Sequence, residues 1–189
     1  YFDTYGYVST GDYSSEQQAI YGQWLFRSGR SEWIVAGRLE YFSDQYMDTL
    51  DFSSNDEDWL RHFSIIFNWR PSEQSLIYAK LAQSEKPGGI NTSTSAQFGD
   101  MAPHFKEFIA DRLIFNSENL RSFEVGTKWQ NSSTQLRSTF FYNQRKNAQL
   151  ESWMYDVSNY AWIGYLDSTA DSENYGVELE WQQSLSKEL

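Results

Sequence analysis

Alternation with a period of two constrains this chain more than any other feature. From Ser122 to Trp129, the residues Phe123, Val125, Thr127 and Trp129 alternate with Ser122, Glu124, Gly126 and Lys128. From Tyr175 to Trp181, the residues Tyr175, Val177, Leu179 and Trp181 alternate with Gly176, Glu178 and Glu180. A β-strand turns successive side chains to opposite faces, so each segment carries an apolar row on one face and a charged row on the other. The pattern recurs along the chain. Gln17–Arg27 sets Ile20, Gly22, Trp24 and Phe26 against Ala19, Tyr21, Gln23 and Arg27. Trp33–Tyr41 sets Trp33, Val35, Gly37, Leu39 and Tyr41 against Ile34, Ala36, Arg38 and Glu40. Phe63, Ile65, Phe67 and Trp69 alternate with Ser64, Ile66 and Asn68, and Leu136, Ser138, Phe140 and Tyr142 with Arg137, Thr139 and Phe141. Ser75–Gln83 reads as a strand with less distinct faces, and Phe2–Ser9 as a weaker further one.

A tilted strand needs about 9–11 residues to cross a bilayer core, and these segments reach that length. Several apolar rows end in rings, at Trp24, Phe26, Trp33, Trp69, Trp129 and Trp181. Aromatic side chains with a polar edge favour the membrane–water interface and form girdles on outer-membrane barrels. Short connections (28–31, 70–74, 130–133) alternate with long ones (43–58, 84–116, 149–172). In an up-and-down barrel that places every short turn at one rim and every long loop at the other. The expected fold is all-β: an antiparallel, up-and-down transmembrane β-barrel wall of about seven or eight strands.

Composition narrows the function classes. The 189 residues carry 26 acidic and 15 basic side chains, a net charge of −11, which argues against binding nucleic-acid phosphate or an anionic membrane surface. The absence of cysteine removes disulfides, thiolate metal sites and cysteine nucleophiles. No run approaches the 18 or so apolar residues of a helical span. A negative mean hydropathy does not oppose a barrel, because one face of each strand is polar. Pro71, Pro87 and Pro103 all fall in inferred turns or loops, as ladder geometry requires. The chain begins at Tyr1 inside a strand-like pattern, so residues 1–189 are expected to form a single barrel segment of a longer protein.

Four motifs in order resemble the barrel of TonB-dependent outer-membrane receptors. Phe67-Asn68-Trp69-Arg70-Pro71 followed by Ser75-Leu76-Ile77-Tyr78-Ala79-Lys80 is similar to a strand, proline turn and strand of that family. Lys86-Pro87-Gly88-Gly89-Ile90-Asn91 resembles the segment that opens one of its long loops. Ser117–Lys128, with Phe140-Phe141-Tyr142 after it, and Ala170–Glu180 resemble two later strands. Ser117 departs from the family's usual proline. The resemblance covers roughly 16–184 and implies a 22-stranded barrel around a plug. It also implies uptake of a scarce solute (an iron chelate, a cobamide or an oligosaccharide) across the outer membrane of a Gram-negative bacterium. The plug and the contact with a TonB-type energising partner lie outside this sequence. No cofactor is implied, and an enzyme is not.

If the apolar rows face lipid, then Arg38, Glu40, Glu124, Lys128, Arg137, Glu178 and Glu180 face the lumen. Arg or Lys on the lipid face would cost about 2–4 kcal/mol near the midplane. Two readings stay open for this row: contact with a plug or hydrophilic solute, or plain solvation and ion pairing in a wet interior. The last long loop carries Trp153, Tyr155, Tyr160, Trp162 and Tyr165. These rings are either ligand-stacking anchors or rim packing on a strand pair that extends the hairpin. Asp48, Asp51, Asp56, Glu57 and Asp58 cluster without EF-hand spacing and read as a solvated acidic loop, with no metal site. His62 and His104 have no serine in a nucleophile-type turn beside them. Two alternatives from other classes are a small passive barrel and a soluble carbohydrate-binding β-sandwich. An incomplete wall has two unpaired edges that hydrocarbon does not tolerate, so an open curved sheet is expected here, one that does not insert alone.

Overall fold

Among the described residues each alternating segment forms a strand, and each of those strands runs past the alternation that predicts it. The computed structural model describes residues 11–48, 53–92, 107–108, 110–157 and 160–185. Seven long strands form one antiparallel sheet: β1 (Gly11–Ser28), β2 (Ser31–Asp48), β3 (Ser53–Ser72), β4 (Ser75–Lys86), β7 (Glu118–Gln130), β8 (Thr134–Asp156) and β9 (Ala161–Gln183). They neighbour one another in chain order, and β1 and β9 are the edges. A two-residue hairpin, β5 (Gly89–Ile90) with β6 (Ile114–Phe115), interrupts the β4–β7 connection. The expected strand at Phe2–Ser9 lies outside the described residues.

The register turns sequence alternation into rows across the sheet. One row runs Trp24, Val35, Ile65, Leu81, Phe123, Tyr142, Tyr175. The next runs Phe26, Trp33, Phe67, Ala79, Val125, Phe140, Val177. Neither holds a charge. Below them, Trp129, Leu136 and Trp181 are cross-strand neighbours, and above them Tyr41 and Trp59 pair with ring centroids 5.3 Å apart. Eight residues of β2 separate Trp33 from Tyr41, which at about 3.3 Å per residue and roughly 40° of tilt spans about 20 Å. An aromatic-edged band of that height matches a bilayer core of about 25 Å in such barrels.

The other face is polar and has little core. Among the described residues the buried hydrophobic side chains are Tyr46, Leu60, Ile90, Ala148 and Ile163. Among the described residues the only second sheet is the two-residue pair β5–β6, far too small to cover a face of the seven-stranded one, so the two-layer architecture of a soluble sandwich is absent. The apolar rows stay exposed, Trp24 at 74% and Val177 at 73%. That is far more contiguous apolar surface than a soluble monomer tolerates.

Short turns close one rim. Gly29 (φ 56°) supplies the left-handed backbone between β1 and β2. Asn131 Oδ1 accepts from Ser133 N and Thr134 N at 2.9 and 2.8 Å between β7 and β8. At the other rim two expected long loops, 43–58 and 149–172, are largely strand: β2 continues to Asp48, and β8 and β9 continue to Asp156 and from Ala161. The ladder persists there without a lipid-facing row, because water makes no demand that one face be apolar.

Candidate functional site

The register assembles the polar face from all seven strands. Arg38 opposes His62, and Glu40 opposes Leu60. Lys80 opposes Glu124, and Lys128 opposes Arg137, which opposes Glu180; Thr139 opposes Glu178. Directly opposed residues share a face. All seven expected inward residues, Arg38, Glu40, Glu124, Lys128, Arg137, Glu178 and Glu180, therefore lie on the face opposite the apolar rows.

They form two groups and no single pocket. High on β1–β3, Glu40 is 3% exposed and accepts hydrogen bonds from Gln17 Nε2 and the Arg38 guanidinium. His62 Nε2 stands 3.9 Å from the same carboxylate, and its Nδ1 is 3.0 Å from Ser84 Oγ. On β4–β9, Tyr78 Oη donates to Glu124 Oε1 at 2.5 Å and lies 3.1 Å from Thr139 Oγ1. The Tyr78 ring lies across Gly126, where a Cβ would meet it at 2.7 Å, and Lys128 Nζ sits 5.3 Å from the ring centroid. Arg137 pairs with Glu180 at 3.1 Å, half exposed, and such pairs contribute little stability in water. Between the groups runs a row of short side chains: Gln23, Ala36, Ser64, Ala82, Ser122, Asn143 and Asn174. Over β1–β4 this row borders an open depression lined by Gln23, Ala36, Ser64 and Ala82 with Arg38, His62 and Lys80.

Sequence reading missed what covers the upper part of this face. The described parts of the connection between β4 and β7 (87–92, 107–108 and 110–117) fold back over it as a strap. Gly88 and Gly89 allow the approach: a Cβ on Gly89 would meet the Phe115 ring at 2.8 Å and Asp44 Oδ2 at 3.3 Å, and one on Gly88 would overlap Phe115 O. Asn91, 5% exposed, fastens the strap to β9. Its Nδ2 donates to Leu166 O (2.9 Å) and Arg112 O (2.6 Å), and its Oδ1 accepts from Leu166 N (2.7 Å). Gln149 Nε2 donates to Pro87 O and Asn116 O, and Asn116 N donates to Ser168 Oγ. Arg112 lies 3.8 Å over the Phe108 ring, and Phe108 meets Tyr165 edge-on at 5.7 Å. The one available signal was the Gly88-Gly89-Ile90-Asn91 string, since a glycine pair marks close backbone approach.

The five loop aromatics do not make one patch. Trp153, Tyr155, Trp162 and Tyr165 are strand residues, paired Trp153 with Gly164, Tyr155 with Trp162 and Ser152 with Tyr165. Tyr165 faces the strap; Trp153, Tyr155 and Trp162 lie on the opposite face; Tyr160 sits in the turn with φ 52°. Among the acidic residues, Asp56 opposes Asp44 across β2–β3, and Asp51 lies outside the described residues, as does His104. Asp44 is fully buried and accepts from Tyr13 Oη at 2.9 Å through Oδ2. Burial pushes the Asp44 carboxyl above its ordinary value; burial and the Asp44 charge do the same to Asp56. Burial, with the hydrogen bond to Asp44, pushes the Tyr13 hydroxyl up to about 12. Among the described residues no cluster of three His, Asp or Glu side chains has metal-site geometry.

Comparison with known proteins places these features. The family described as TonB dependent receptor-like, beta-barrel, matches residues 1–187. The pesticin receptor of Yersinia pestis is 28% identical over 131 residues, covering 67% of this chain and 16% of that protein. A protein of Acinetobacter baumannii named a probable TonB-dependent siderophore receptor is 26% identical over 130 residues, 68% of this chain and 16% of its own. This chain thus spans about a sixth of the length of the relatives it matches. Among solved structures, the copper transporter OprC superposes with a TM-score of 0.71 at 14% identity, over 93% of this chain and 28% of that one. The ferric yersiniabactin uptake receptor FyuA of Yersinia pestis superposes with a TM-score of 0.63 at 21% identity, over 95% and 26%. At these identities the structural likeness speaks for the fold.

Proposed function

The chain belongs to the TonB-dependent receptor-like β-barrel family, and on that premise we propose that it is part of the wall of an outer-membrane receptor that imports a scarce solute, an iron chelate first among the candidates. The observation that carries this reading is the pair of uncharged rows crossing all seven strands, backed by a face that carries Arg38, Glu40, Glu124, Lys128, Arg137, Glu178 and Glu180. The name of the Acinetobacter baumannii relative, a probable siderophore receptor, favours an iron chelate over a cobamide or an oligosaccharide. Bilayer lipid covers the apolar face. The polar face lines a hydrated path, its upper part narrowed by the Asn91-fastened strap. Energy comes from a TonB-type inner-membrane partner acting through a plug.

The test is uptake by cells. A strain lacking the gene is grown on a panel of ferric chelates under iron restriction, and labelled chelate is followed with and without an uncoupler. The reading expects one chelate to lose concentrative uptake in the deletion strain and in uncoupled wild-type cells. Uptake that is unchanged by the uncoupler, and merely follows the outside concentration, points instead to a passive barrel.

A further inference from the structure

We propose that the outward face of the β8–β9 hairpin, formed by Trp153, Tyr155 and Trp162, binds saccharide, and that its partner is the sugar headgroup layer of the glycolipid leaflet surrounding the wall. The proposal rests on the outer-membrane placement above. It gives three of the five loop aromatics a partner other than the imported solute.

The direction of the rings decides this. Trp153 is paired with Gly164 and Tyr155 with Trp162, so the three rings share one face. The other face, with Ile163 (1% exposed) and Tyr165, is covered by the strap through Phe108. The strap lies on the polar side of the sheet, since Gly89 abuts Asp44, in the same row set as Glu40. The three rings therefore point away from the lumen, on the side that faces lipid lower down. Further strands would extend the sheet at its edges and leave both faces as they are.

The patch is built and uncovered. The Trp153 ring lies over Gly164, where a Cβ would meet it at 3.1 Å. The Tyr155 and Trp162 rings are 5.1 Å apart at 51°. Trp153 and Trp162 remain 58% and 63% exposed. Flat rings with a polar N–H or O–H edge stack on the C–H faces of pyranoses and bond their hydroxyls. The charged neighbour on this face is Glu151, opposite Leu166; a carboxylate accepts from sugar hydroxyls and repels phosphate.

Height selects the sugar layer among what surrounds a barrel. From Tyr142, in the upper apolar row, to Trp153 the strand rises about 3.3 Å per residue at roughly 40° of tilt, placing the patch about 28 Å above that row. Acyl chains and lipid phosphates end well below that height, whereas the oligosaccharide of a glycolipid extends past it.

The experiment uses the full receptor in nanodiscs and, as probe, lipid-free core oligosaccharide released from the outer-leaflet glycolipid, with isothermal titration calorimetry as the readout. Wild type is expected to bind and the Trp153→Ala/Trp162→Ala double variant to lose about tenfold or more in affinity. Trp162→Phe, which keeps a ring, is expected to retain most of it. A heat-modifiable band shows that each variant is folded, and cell fractionation shows the outer-membrane placement independently. Labelled chelate uptake should be unchanged in the double variant. Equal oligosaccharide binding by folded wild type and double variant overturns the proposal. So does joint loss of binding and uptake, which would assign the rings to the solute path, and so does protection of the patch by a second receptor copy in cross-linking.

Discussion

Removing the Asn91 side chain should release the strap from β9 while leaving the barrel wall folded. Asn91→Ala deletes two donated hydrogen bonds, to Leu166 O and Arg112 O, and one accepted from Leu166 N. A net intramolecular hydrogen bond is worth about 0.5–1.5 kcal/mol, and a buried group left unpaired costs about 1–3 kcal/mol. Asn91 is 5% exposed, so water does not replace these bonds while the strap stays docked. The sum is roughly 3–5 kcal/mol against the docked state, or about two to three and a half orders of magnitude in the opening equilibrium. Hydrogen exchange of the receptor in nanodiscs reads this at the Leu166 amide. The expected result is faster exchange by that factor in peptides covering 161–170, with no change around Val125 or Phe140 in the band. Unchanged exchange at Leu166 would refute the fastening role. Equal acceleration everywhere would mean that Asn91 supports the whole wall and not the strap alone.

Three further outcomes follow from the same geometry. Val125→Arg, in an uncharged row, should destabilise the inserted barrel by about 2–4 kcal/mol in denaturant unfolding from vesicles, whereas Ser122→Arg on the polar face should change it little. Gly89→Val should displace the strap, because its Cβ would meet the Phe115 ring at 2.8 Å; protease cleavage between Pro87 and Ser117 would report this, and an uncut strap would count against it. Burial raises the Asp44 and Asp56 carboxyls, so the folded state holds protons that the unfolded state has released. Stability of the sheet above the band should then be highest below the ordinary carboxylate range and fall as pH rises through the raised values. Asp44→Asn, which still accepts from Tyr13, should flatten that fall and stabilise the region at neutral pH; a slope as steep as wild type would contradict it.

How much of this was legible in the sequence depended on what the surroundings demanded of each residue. In the band every other side chain must be apolar, so Phe123, Val125 and Glu124, Lys128 announced both strand and face. The register then set all seven expected inward residues on one side. Above Tyr41 and Tyr142 water surrounds both faces, the alternation fades, and strands such as Ser43–Asp48 and Gln149–Asp156 read as loops although the ladder continues. Two register shifts in the β8–β9 ladder, one adding a residue to β8 between Arg145 and Ala148 and one adding a residue to β9 between Asp167 and Ala170, further hide the phase of Trp153 and Tyr165. The strap was illegible for another reason: Asn91 bonds the backbone of Leu166, and a backbone partner leaves no trace in sequence.

The central claim is that the odd positions of 122–129 face lipid and the even ones face water. Spin labels placed one at a time along this cysteine-free stretch of the receptor in lipid test it through accessibility to oxygen and to a water-soluble nickel chelate. The account predicts high oxygen and low nickel accessibility at Phe123, Val125 and Thr127, and the reverse at Ser122, Glu124, Gly126 and Lys128. Equal accessibility to both probes along the stretch, or the opposite phase, would contradict it.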